Sequence, residues 1–488
     1  MAVSDADITI LPDASPLIGS ERRGTTSGGT HDHIYPATGR VTVAVPLAGA
    51  LEVDEAITTA RRALPAWRNT TADTRRRILL DIAAAVRTHA AELTALQVAE
   101  NGTPSAVAAF SAGVVADSLE YYGGWVDKAG GEVHPMWPAP ALDYSLREPL
   151  GVVGVIIPWN SPLYTLGSVV APALAAGNCV VVKPPELTPF TAARFADLAL
   201  AAGLPSGVLN ILPGGAEAGS ALVSHPGLDK IHFTGSGRTA GAILAAAAAT
   251  LVPVGLELGG KSPNIVFADA DIEAAVGQTV SAVLSLSGQG CINGTRVLVE
   301  DRAYDDVVER CRVALRQASV GDPALTSTVV GPVIDERSCV RILDTIDRAQ
   351  ENKDGTLITG GGRCQGDLAA GYFLEPTLFA DVKPDADIAR EEIFGPVLSI
   401  MRFGTETEAL ELANDTPYGL AAYVQTNDVK RAHRLAAQLD AGMVWINGFG
   451  GLPPSLPFGG VKASGVGRLG GRSGLDEFSR TKNVWLAL

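Results

Sequence analysis

The sequence predicts an α/β protein built on an open parallel sheet, and two observations carry that prediction. Between residues 150 and 270 five apolar runs follow one another, each continuous rather than alternating: GVVGVIIP, CVVVKP, GVLNILPG, KIHFTG and LVPVGLELGG. Ala-rich segments with helical periodicity lie between them, such as PFTAARFADLALAAGL and GRTAGAILAAAAAT. Strands are apolar throughout when helices cover both faces of a parallel sheet. We therefore expect a βαβ domain in this region.

The chain on either side extends this prediction to two or three domains. Residues 54–128 carry apolar residues at three- and four-residue spacing, which is typical of helices. The first stretch of about 25 residues lacks periodicity and is expected to be loosely attached. After residue 260 a second α/β alternation runs through SPNIVFADADIEAAV, TRVLVEDRAYDDVVERCRVAL and AGMVWING. At 488 residues the chain exceeds what one hydrophobic core usually serves.

Composition narrows the function classes. The formal net charge of −15 argues against binding a nucleic-acid backbone, which needs a basic surface. The N-terminus MAVSDADITILPDASPL is acidic where a signal peptide is basic, and the most apolar stretch is broken by a proline and too short to span a bilayer. Five scattered cysteines without CxxC spacing suit a reducing compartment, and the seven histidines form no metal-binding pair. We expect a cytoplasmic protein with no metal, membrane or nucleic-acid partner.

The segment SGQGCINGTR places Cys291 among three glycines, a glutamine and an asparagine. A structural cysteine behaves as a small hydrophobe and usually lies among Val, Leu and Ile. The small, polar surroundings indicate that another molecule approaches this thiol. The cysteines at positions 179, 311 and 339 lie in apolar strand or helix patterns and are interpreted as structural, whereas the one at 364 lies in a polar loop.

The turn FTGSGRTAG, residues 233–241, follows a predicted strand and opens a helix. The free N–H groups and positive dipole end of a helix N-terminus favour a phosphate. The spacing is G-x-G-x-x-x-G rather than the dinucleotide fingerprint G-x-G-x-x-G, so a tight turn without a ligand is the alternative. Glu257, 20 residues after Gly237, fits two roles: a hydrogen-bond acceptor for a ribose hydroxyl, or a general base at a strand end.

Two further segments follow predicted strands. VVVKPPELTP places Lys183 and Glu186 at the strand end where open α/β sheets bind ligands, although a solvated loop explains them too. PWNSP holds Asn160 close to two prolines, where its amide can donate to a developing oxyanion or merely cap backbone groups.

Together these segments resemble the aldehyde dehydrogenase superfamily from about residue 35 to the C-terminus. The resemblance rests on eight pieces in the family's order: PWNSP, KPPELTP, FTGS, LELGGKSPNIVFADAD, GQGCINGTR, EEIFGPV, NDTPYGLAAYV and PFGGVKASGVGR. It implies a Rossmann-like cofactor domain, a second α/β catalytic domain and a small β oligomerisation segment. The implied boundaries are 1–130 with 150–257 for the cofactor domain, 258–469 for the catalytic domain, and 131–149 with 470–488 for assembly into a homodimer or homotetramer.

The resemblance also implies roles. Cys291 as thiolate attacks an aldehyde, Asn160 binds the oxyanion and Glu257 activates the hydrolytic water. The implied cofactor is NAD, with NADP possible, and its implied contacts are Lys183 and Glu186 at the adenosine ribose, Gly235 and Ser236 at the phosphates, and Glu392 and Phe394 at the nicotinamide end.

The resemblance places seven positions along the substrate pocket: Ser161, Thr165, Ser168, Ser285, Leu286, Ile292 and Leu452. Many relatives carry aromatic side chains at several of these positions, so we expect a wider tunnel here that accepts bulky neutral aldehydes. Two other functions compete. A CoA-acylating enzyme or a thiol hydrolase on the same cysteine would lack Glu257 or need a histidine base, and a non-catalytic binding protein would lose Cys291, Asn160 or Glu257.

Overall fold

The computed structural model describes residues 11–138 and 140–487. The acidic N-terminal residues 1–10 lie outside the described residues, as do positions 139 and 488 of the two predicted assembly segments. The strands are β1 (Leu17–Ile18), β2 (Glu21–Arg22), β3 (Thr30–Tyr35), β4 (Arg40–Pro46), β5 (Val133–His134), β6 (Ala141–Pro149), β7 (Val152–Ile156), β8 (Cys179–Lys183), β9 (Leu209–Ile211), β10 (Lys230–Thr234), β11 (Val254–Glu257), β12 (Pro263–Val266), β13 (Arg296–Glu300), β14 (Thr356–Thr359), β15 (Thr377–Ala380), β16 (Val397–Phe403), β17 (Ala421–Gln425), β18 (Met443–Ile446), β19 (Gly465–Val466) and β20 (Ser479–Ala487).

The helices are α1 (Ala50–Arg68), α2 (Ala72–Thr88), α3 (Ala90–Asn101), α4 (Ser105–Gly123), α5 (Pro162–Thr165), α6 (Ala171–Ala175), α7 (Phe190–Ala201), α8 (Ala216–Val223), α9 (Gly237–Ala247), α10 (Ile272–Leu284), α11 (Tyr304–Gln317), α12 (Glu336–Glu351), α13 (Asp387–Arg390), α14 (Glu406–Asn414), α15 (Val429–Ala436) and α16 (Gly471–Glu477). A π-helical turn, Leu166–Val170, joins α5 to α6. None of the helices in the part of the chain that the structure describes is long and apolar enough to cross a membrane.

The first sheet confirms the predicted α/β fold. Its strand order is β19-β11-β10-β7-β8-β9-β1-β2, and the five strands from β11 to β9 run parallel. They are the five apolar runs of the sequence, and β7 and β8 are buried along their whole length because helices cover both faces. The carboxyl ends of β7, β8, β10 and β11 therefore meet at one edge of this sheet, where open parallel sheets bind ligands.

Both edges of this sheet come from distant parts of the chain. Leu17 in β1 pairs with Ile211 in β9, and both Leu17 and Ile18 are buried, so the expectation of loose attachment is wrong for β1. At the other edge β19 runs antiparallel to β11 and places Gly465 beside Glu257. A pairing between residues so far apart in sequence leaves no local signal.

The second sheet has the order β14-β15-β16-β13-β12-β17-β18 and is parallel apart from β14. A third, small sheet has the order β20-β6-β5. The two segments implied in assembly thus meet in this sheet, where β20 pairs with β6 over nine residues from Ser479 to Ala487. Trp485 and Leu486 on β20, and Leu142 and Leu146 on β6, remain exposed.

Candidate active site

A cavity of about 750 Å³ lies at the carboxyl edge of the first sheet and opens toward the second. Nine residues predicted to carry chemistry or hold the cofactor line it: Asn160, Lys183, Glu186, Gly235, Ser236, Glu257, Cys291, Glu392 and Phe394. They come from strand ends, helix N-termini and loops spread over more than two hundred residues. The fold therefore brings the whole set to one place.

The loop before Cys291 is tightly shaped. Leu286, Ser287 and Gly288 have positive φ angles of 51°, 55° and 82°. At Gly288 a side chain would overlap the backbone of the neighbouring 394–396 loop, which explains the glycine. The Ser287 hydroxyl accepts a hydrogen bond from Gly331 N at 2.9 Å and holds the turn in place. Positive φ at non-glycine residues is costly and is maintained only where the surroundings enforce it.

Cys291 is partly exposed at the end of this loop. A Cβ at Gly260 would lie 2.7 Å from the Cys291 carbonyl oxygen, so the glycines of ELGG allow two backbones to meet at the thiol. Burial raises the pKa of the Cys291 thiol to about 12, and the carboxylates of Glu392 and Glu257 add to that rise. A thiol with a raised pKa must lose its proton in order to attack a carbonyl carbon, and attack by Cys291 as thiolate stays a prediction.

Asn160 follows β7 and is buried. Its Nδ2 donates a hydrogen bond to the Gln289 carbonyl at 2.7 Å, which fixes the amide against the loop that carries Cys291. The preceding residue is held as well, because Asn101 Nδ2 donates to the Trp159 carbonyl at 3.0 Å. An amide carries two N–H donors, so one N–H of Asn160 is left to face the cavity.

Glu257 is the last residue of β11 and is buried. Its Oε2 has no hydrogen-bond partner among the described residues. Burial raises the pKa of Glu257 to about 8; the positive charge of Arg468 opposes this rise and the negative charge of Glu477 adds to it. A carboxylate with such a pKa can accept a proton near neutral pH.

Lys183 and Glu186 lie beyond the end of β8. Lys183 Nζ donates to the Gly214 carbonyl at 2.5 Å, and burial lowers the pKa of this lysine to about 8. Gly215 faces the Glu186 carboxylate, with the position of a Cβ at 3.8 Å from Oε1. The pair therefore presents a cation and a carboxylate on one wall of the cavity.

The turn after β10 places Gly235 and Ser236 at the start of α9. Ser236 is the N-cap residue, and its hydroxyl accepts from Thr239 N at 3.4 Å. Gly235 packs over the Phe233 ring, where a Cβ would approach a ring carbon to 2.5 Å. Gly235, Ser236 and Thr239 line the cavity, and the free N–H groups of a helix N-terminus favour an anion.

Glu392 and Phe394 form the wall nearest Cys291. Glu392 Oε1 accepts from Gly260 N at 3.0 Å, and burial raises the pKa of Glu392 to about 7. Phe394 adopts a positive φ of 56°, and its ring meets the Trp159 ring edge-on at a centroid distance of 5.4 Å. These contacts hold a carboxylate and an aromatic ring beside the thiol.

The residues predicted to line the substrate pocket do not all line the same cavity. Ser161 lines the main cavity, whereas Ser168 and Leu452 line a second, small cavity of about 20 Å³. Thr165 is buried and donates its hydroxyl to the Ser161 carbonyl, and it is not among the residues lining either cavity.

The other three positions flank the nucleophile loop. Ser285 O accepts from Asn293 Nδ2 at 3.0 Å, and Leu286 occupies one of the positive-φ positions. The Ile292 carbonyl accepts from the Tyr423 hydroxyl at 2.6 Å.

Sequence reasoning missed Tyr164, which lines the small cavity with Ser168. Burial raises the pKa of the Tyr164 phenol, and the charges of Cys291 and Glu257 add to that rise. The four-residue spacing from Asn160 to Tyr164 to Ser168 gave no reliable signal, because Asn160 precedes α5 and Ser168 lies in the π-helical turn Leu166–Val170.

A second group that the sequence did not reveal is charged: Lys230, Arg468 and Glu477. The Lys230–Glu477 ion pair spans 247 residues, a separation at which no periodicity or motif spacing gives a signal. Within the described residues, no three His, Cys, Asp or Glu side chains are arranged to hold a metal ion.

Comparison with known proteins agrees with this geometry. Residues 24–484 match the model of the aldehyde dehydrogenase family. An aldehyde dehydrogenase-like protein of Schizosaccharomyces pombe is 41% identical over 462 residues, which cover 94% of this chain and 92% of that protein. A mutant aldehyde dehydrogenase of Bacillus cereus is 36% identical with a TM-score of 0.96 and full coverage of both chains.

A betaine aldehyde dehydrogenase of Staphylococcus aureus, solved in complex with NAD⁺, is 34% identical with a TM-score of 0.96, over 99% of this chain and 97% of that one. The fold and the cysteine-lined cavity, taken with these relatives, define an NAD⁺-dependent oxidoreductase. This chain belongs to the aldehyde dehydrogenase family.

Proposed function

We propose that this protein oxidises an aldehyde to the carboxylic acid with NAD⁺, through a thioester on Cys291. The observation that carries the proposal is that one cavity is lined by Cys291, Asn160 and Glu257 and also by Lys183 and Glu186. The NAD⁺ complex of the S. aureus relative supports the choice of cofactor.

The cavity fits the proposed cofactor. Its volume of about 750 Å³ is within the range of small-molecule sites. The N-terminus of α9 would receive the pyrophosphate at Gly235 and Ser236, and Glu186 would accept hydrogen bonds from the adenosine ribose. Glu392 and Phe394 would hold the nicotinamide ribose and ring. The bound cofactor supplies the acceptor for the hydride.

Acylation begins with the thiol. The Cys291 sulfur forms a bond to the aldehyde carbon as its proton passes to solvent water that enters the cavity. The carbonyl oxygen becomes an oxyanion, which accepts hydrogen bonds from the free N–H of Asn160 and the backbone N–H of Cys291. When the hydride leaves with its electron pair, the carbonyl re-forms as a thioester.

Deacylation needs a base. Glu257 accepts a proton from water, the hydroxide oxygen bonds to the thioester carbon, and the carbon–sulfur bond breaks to release the acid and the Cys291 sulfur. The free Oε2 of Glu257 is the acceptor for that proton. The presence of this carboxylate is what separates the proposal from a CoA-acylating enzyme.

Substrate choice and assembly extend the proposal. Ser161 lines the same cavity as the nucleophile and has a small side chain, so bulky neutral aldehydes are the expected class. The exposed apolar side chains of the β20-β6-β5 sheet favour a homodimer or homotetramer. The five free cysteines of the described residues suit the cytoplasm.

The experiment is replacement of each cysteine in turn. Cys291→Ala should lose NADH formation, while the same change at Cys179, Cys311, Cys339 or Cys364 should retain most of it. Dehydrogenase turnover in Cys291→Ala would refute the proposal.

A further inference from the structure

The ion pair between Lys230 and Glu477 is buried next to the proposed active site. Lys230 Nζ lies 2.5 Å from Glu477 Oε1, and the two side chains are 7% and 14% exposed. Lys230 begins β10 and Glu477 ends α16. Burying two charges is costly, and removing one partner leaves an uncompensated charge. The steps of the proposed reaction make no use of this pair.

Two glycines form the seat of the Glu477 carboxylate. A Cβ at Gly255 would lie 2.6 Å from Glu477 Oε1, and a Cβ at Gly467 would lie 2.8 Å from the same oxygen. The antiparallel pairing of Leu256 with Val466 makes Gly255 and Gly467 neighbours on β11 and β19. Any side chain at either position would displace the carboxylate, so the sheet edge is shaped to receive it.

The seat lies on the same face of the sheet as Glu257. Side chains two residues apart in a strand point to the same face, and residues 255 and 257 of β11 are about 7 Å apart at 3.3–3.4 Å per residue. The Glu477 carboxylate therefore occupies the space beside Glu257 along the strand. Among the described residues, none donates a hydrogen bond to Glu257 Oε2. The negative charge of Glu477 therefore acts on a carboxylate oxygen that has no hydrogen-bond partner.

We propose that Glu477, held in its seat by Lys230, is a positioning residue that sets the charge state of the general base Glu257. This inference rests on the proposed function, because it needs Glu257 to act as the base. The negative charge of Glu477 disfavours the carboxylate form of Glu257, which makes that group a stronger proton acceptor once it is ionised. The burial-raised pKa of Glu257, to which Glu477 adds, is in accord with this arrangement.

The other titratable groups around Glu257 include one, Arg468, whose charge opposes the effect of Glu477. Arg468, which follows β19, acts in the opposite direction to Glu477 and donates to the Gly460 and Gly467 carbonyls at 2.7 Å. His232 on β10 is uncharged near neutral pH, because burial lowers the pKa of its imidazole to about 3.

Two more groups near Glu257 carry no charge near neutral pH, since burial raises the pKa of the Cys291 thiol to about 12 and raises that of the Tyr164 phenol too. Glu392 lines the same cavity and titrates near 7, so a test must separate it from Glu257.

Charge changes at the pair should move the acid limb of the pH–kcat profile in opposite directions. At an effective dielectric constant of about 20, a unit charge about 12 Å away shifts a pKa by about one unit, and a nearer charge shifts it by more. Glu477→Gln removes the negative charge and leaves Lys230 unpaired, so the limb should move to lower pH by about one unit. Lys230→Met leaves Glu477 unpaired, so the limb should move to higher pH. Lys230→Arg keeps the positive charge, so the limb should stay at its wild-type pH.

The measurement is kcat for NADH formation against pH at saturating aldehyde and NAD⁺, with thermal unfolding to verify that each variant is folded. Glu92→Gln is the matched control, because it breaks the ion pair with Arg194 at 2.7 Å on α7, away from the cavity, and should leave the limb in place. Should Lys230→Met not fold, Glu477→Gln and Lys230→Arg decide the test.

The Glu257→Gln variant distinguishes a failure of this inference from a failure of the proposed function. If that variant loses the acid limb and Glu477→Gln shifts it downward, the inference holds. If Glu257→Gln loses the limb while Glu477→Gln leaves it unmoved, the inference is overturned and the proposed function stands. If Glu257→Gln keeps the limb, the limb belongs to another group such as Glu392, and both the assigned base and the inference fail.

Discussion

Asn160 donates a hydrogen bond from Nδ2 to the carbonyl of Gln289, at 2.7 Å, two residues before Cys291. This bond joins the end of β7 to the nucleophile loop, which belong to distant parts of the chain. The amide is thereby oriented before any substrate arrives, and a donor that needs no reorientation stabilises a developing oxyanion best.

Replacing Asn160 with Ala should lower the rate of the first NADH turnover by about 10²–10³-fold, the usual effect of losing one oxyanion donor. Rapid-mixing fluorescence of NADH measures this step. Asn352→Ala, at the exposed end of α12, is the control and should keep the wild-type rate. An unchanged first turnover in Asn160→Ala would remove Asn160 from the acylation step.

Turnover should rise with pH through the titration of Glu257. The group must be a carboxylate to accept a proton, and burial raises its pKa to about 8, so the active fraction grows as the pH increases through that value. We expect kcat to be half-maximal near pH 8 when thioester hydrolysis limits turnover. A kcat that is independent of pH across this range would contradict the assignment.

The protein should prefer NAD⁺ over NADP⁺. The Glu186 carboxylate would accept from the ribose hydroxyls and repel a 2′-phosphate, while Lys183 acts partly in the opposite direction. Comparing kcat/KM for the two cofactors measures the preference, and Glu186→Gln should reduce it. Glu217→Gln, on the exposed side of α8, should leave it unchanged. A clear NADP⁺ preference in the wild type would refute the role of Glu186.

Substrate size should depend on Ser161. Bulky neutral aldehydes are expected to have a higher kcat/KM than acetaldehyde, because this residue leaves space in the main cavity beside Asn160. Ser161→Phe should narrow the difference and Ser161→Ala should preserve it. Acetaldehyde or a charged semialdehyde as the best substrate would show that the pocket has been misread.

Short sequence patterns predicted those parts of the fold that depend on residues close to one another in the chain. The buried strands at 150–257 are continuous apolar runs, and the thiol at Cys291 was marked by its small polar neighbours. Pairings between distant segments left no such signal, as with Leu17 beside Ile211 or Lys230 beside Glu477. The burial that raises the pKa of the Cys291 thiol also depends on the assembled cavity, so no local pattern could predict it.

The central claim is that Cys291 carries a thioester that Glu257 hydrolyses, and one variant tests both halves. In Glu257→Gln, mixed with aldehyde and NAD⁺, steady-state turnover should fall by about 10²–10⁴-fold, the usual contribution of a general base. The account predicts a burst of one NADH per active site and an intact protein mass increased by one acyl group on Cys291. Normal steady-state turnover in this variant, with no acyl adduct on the protein, would contradict it.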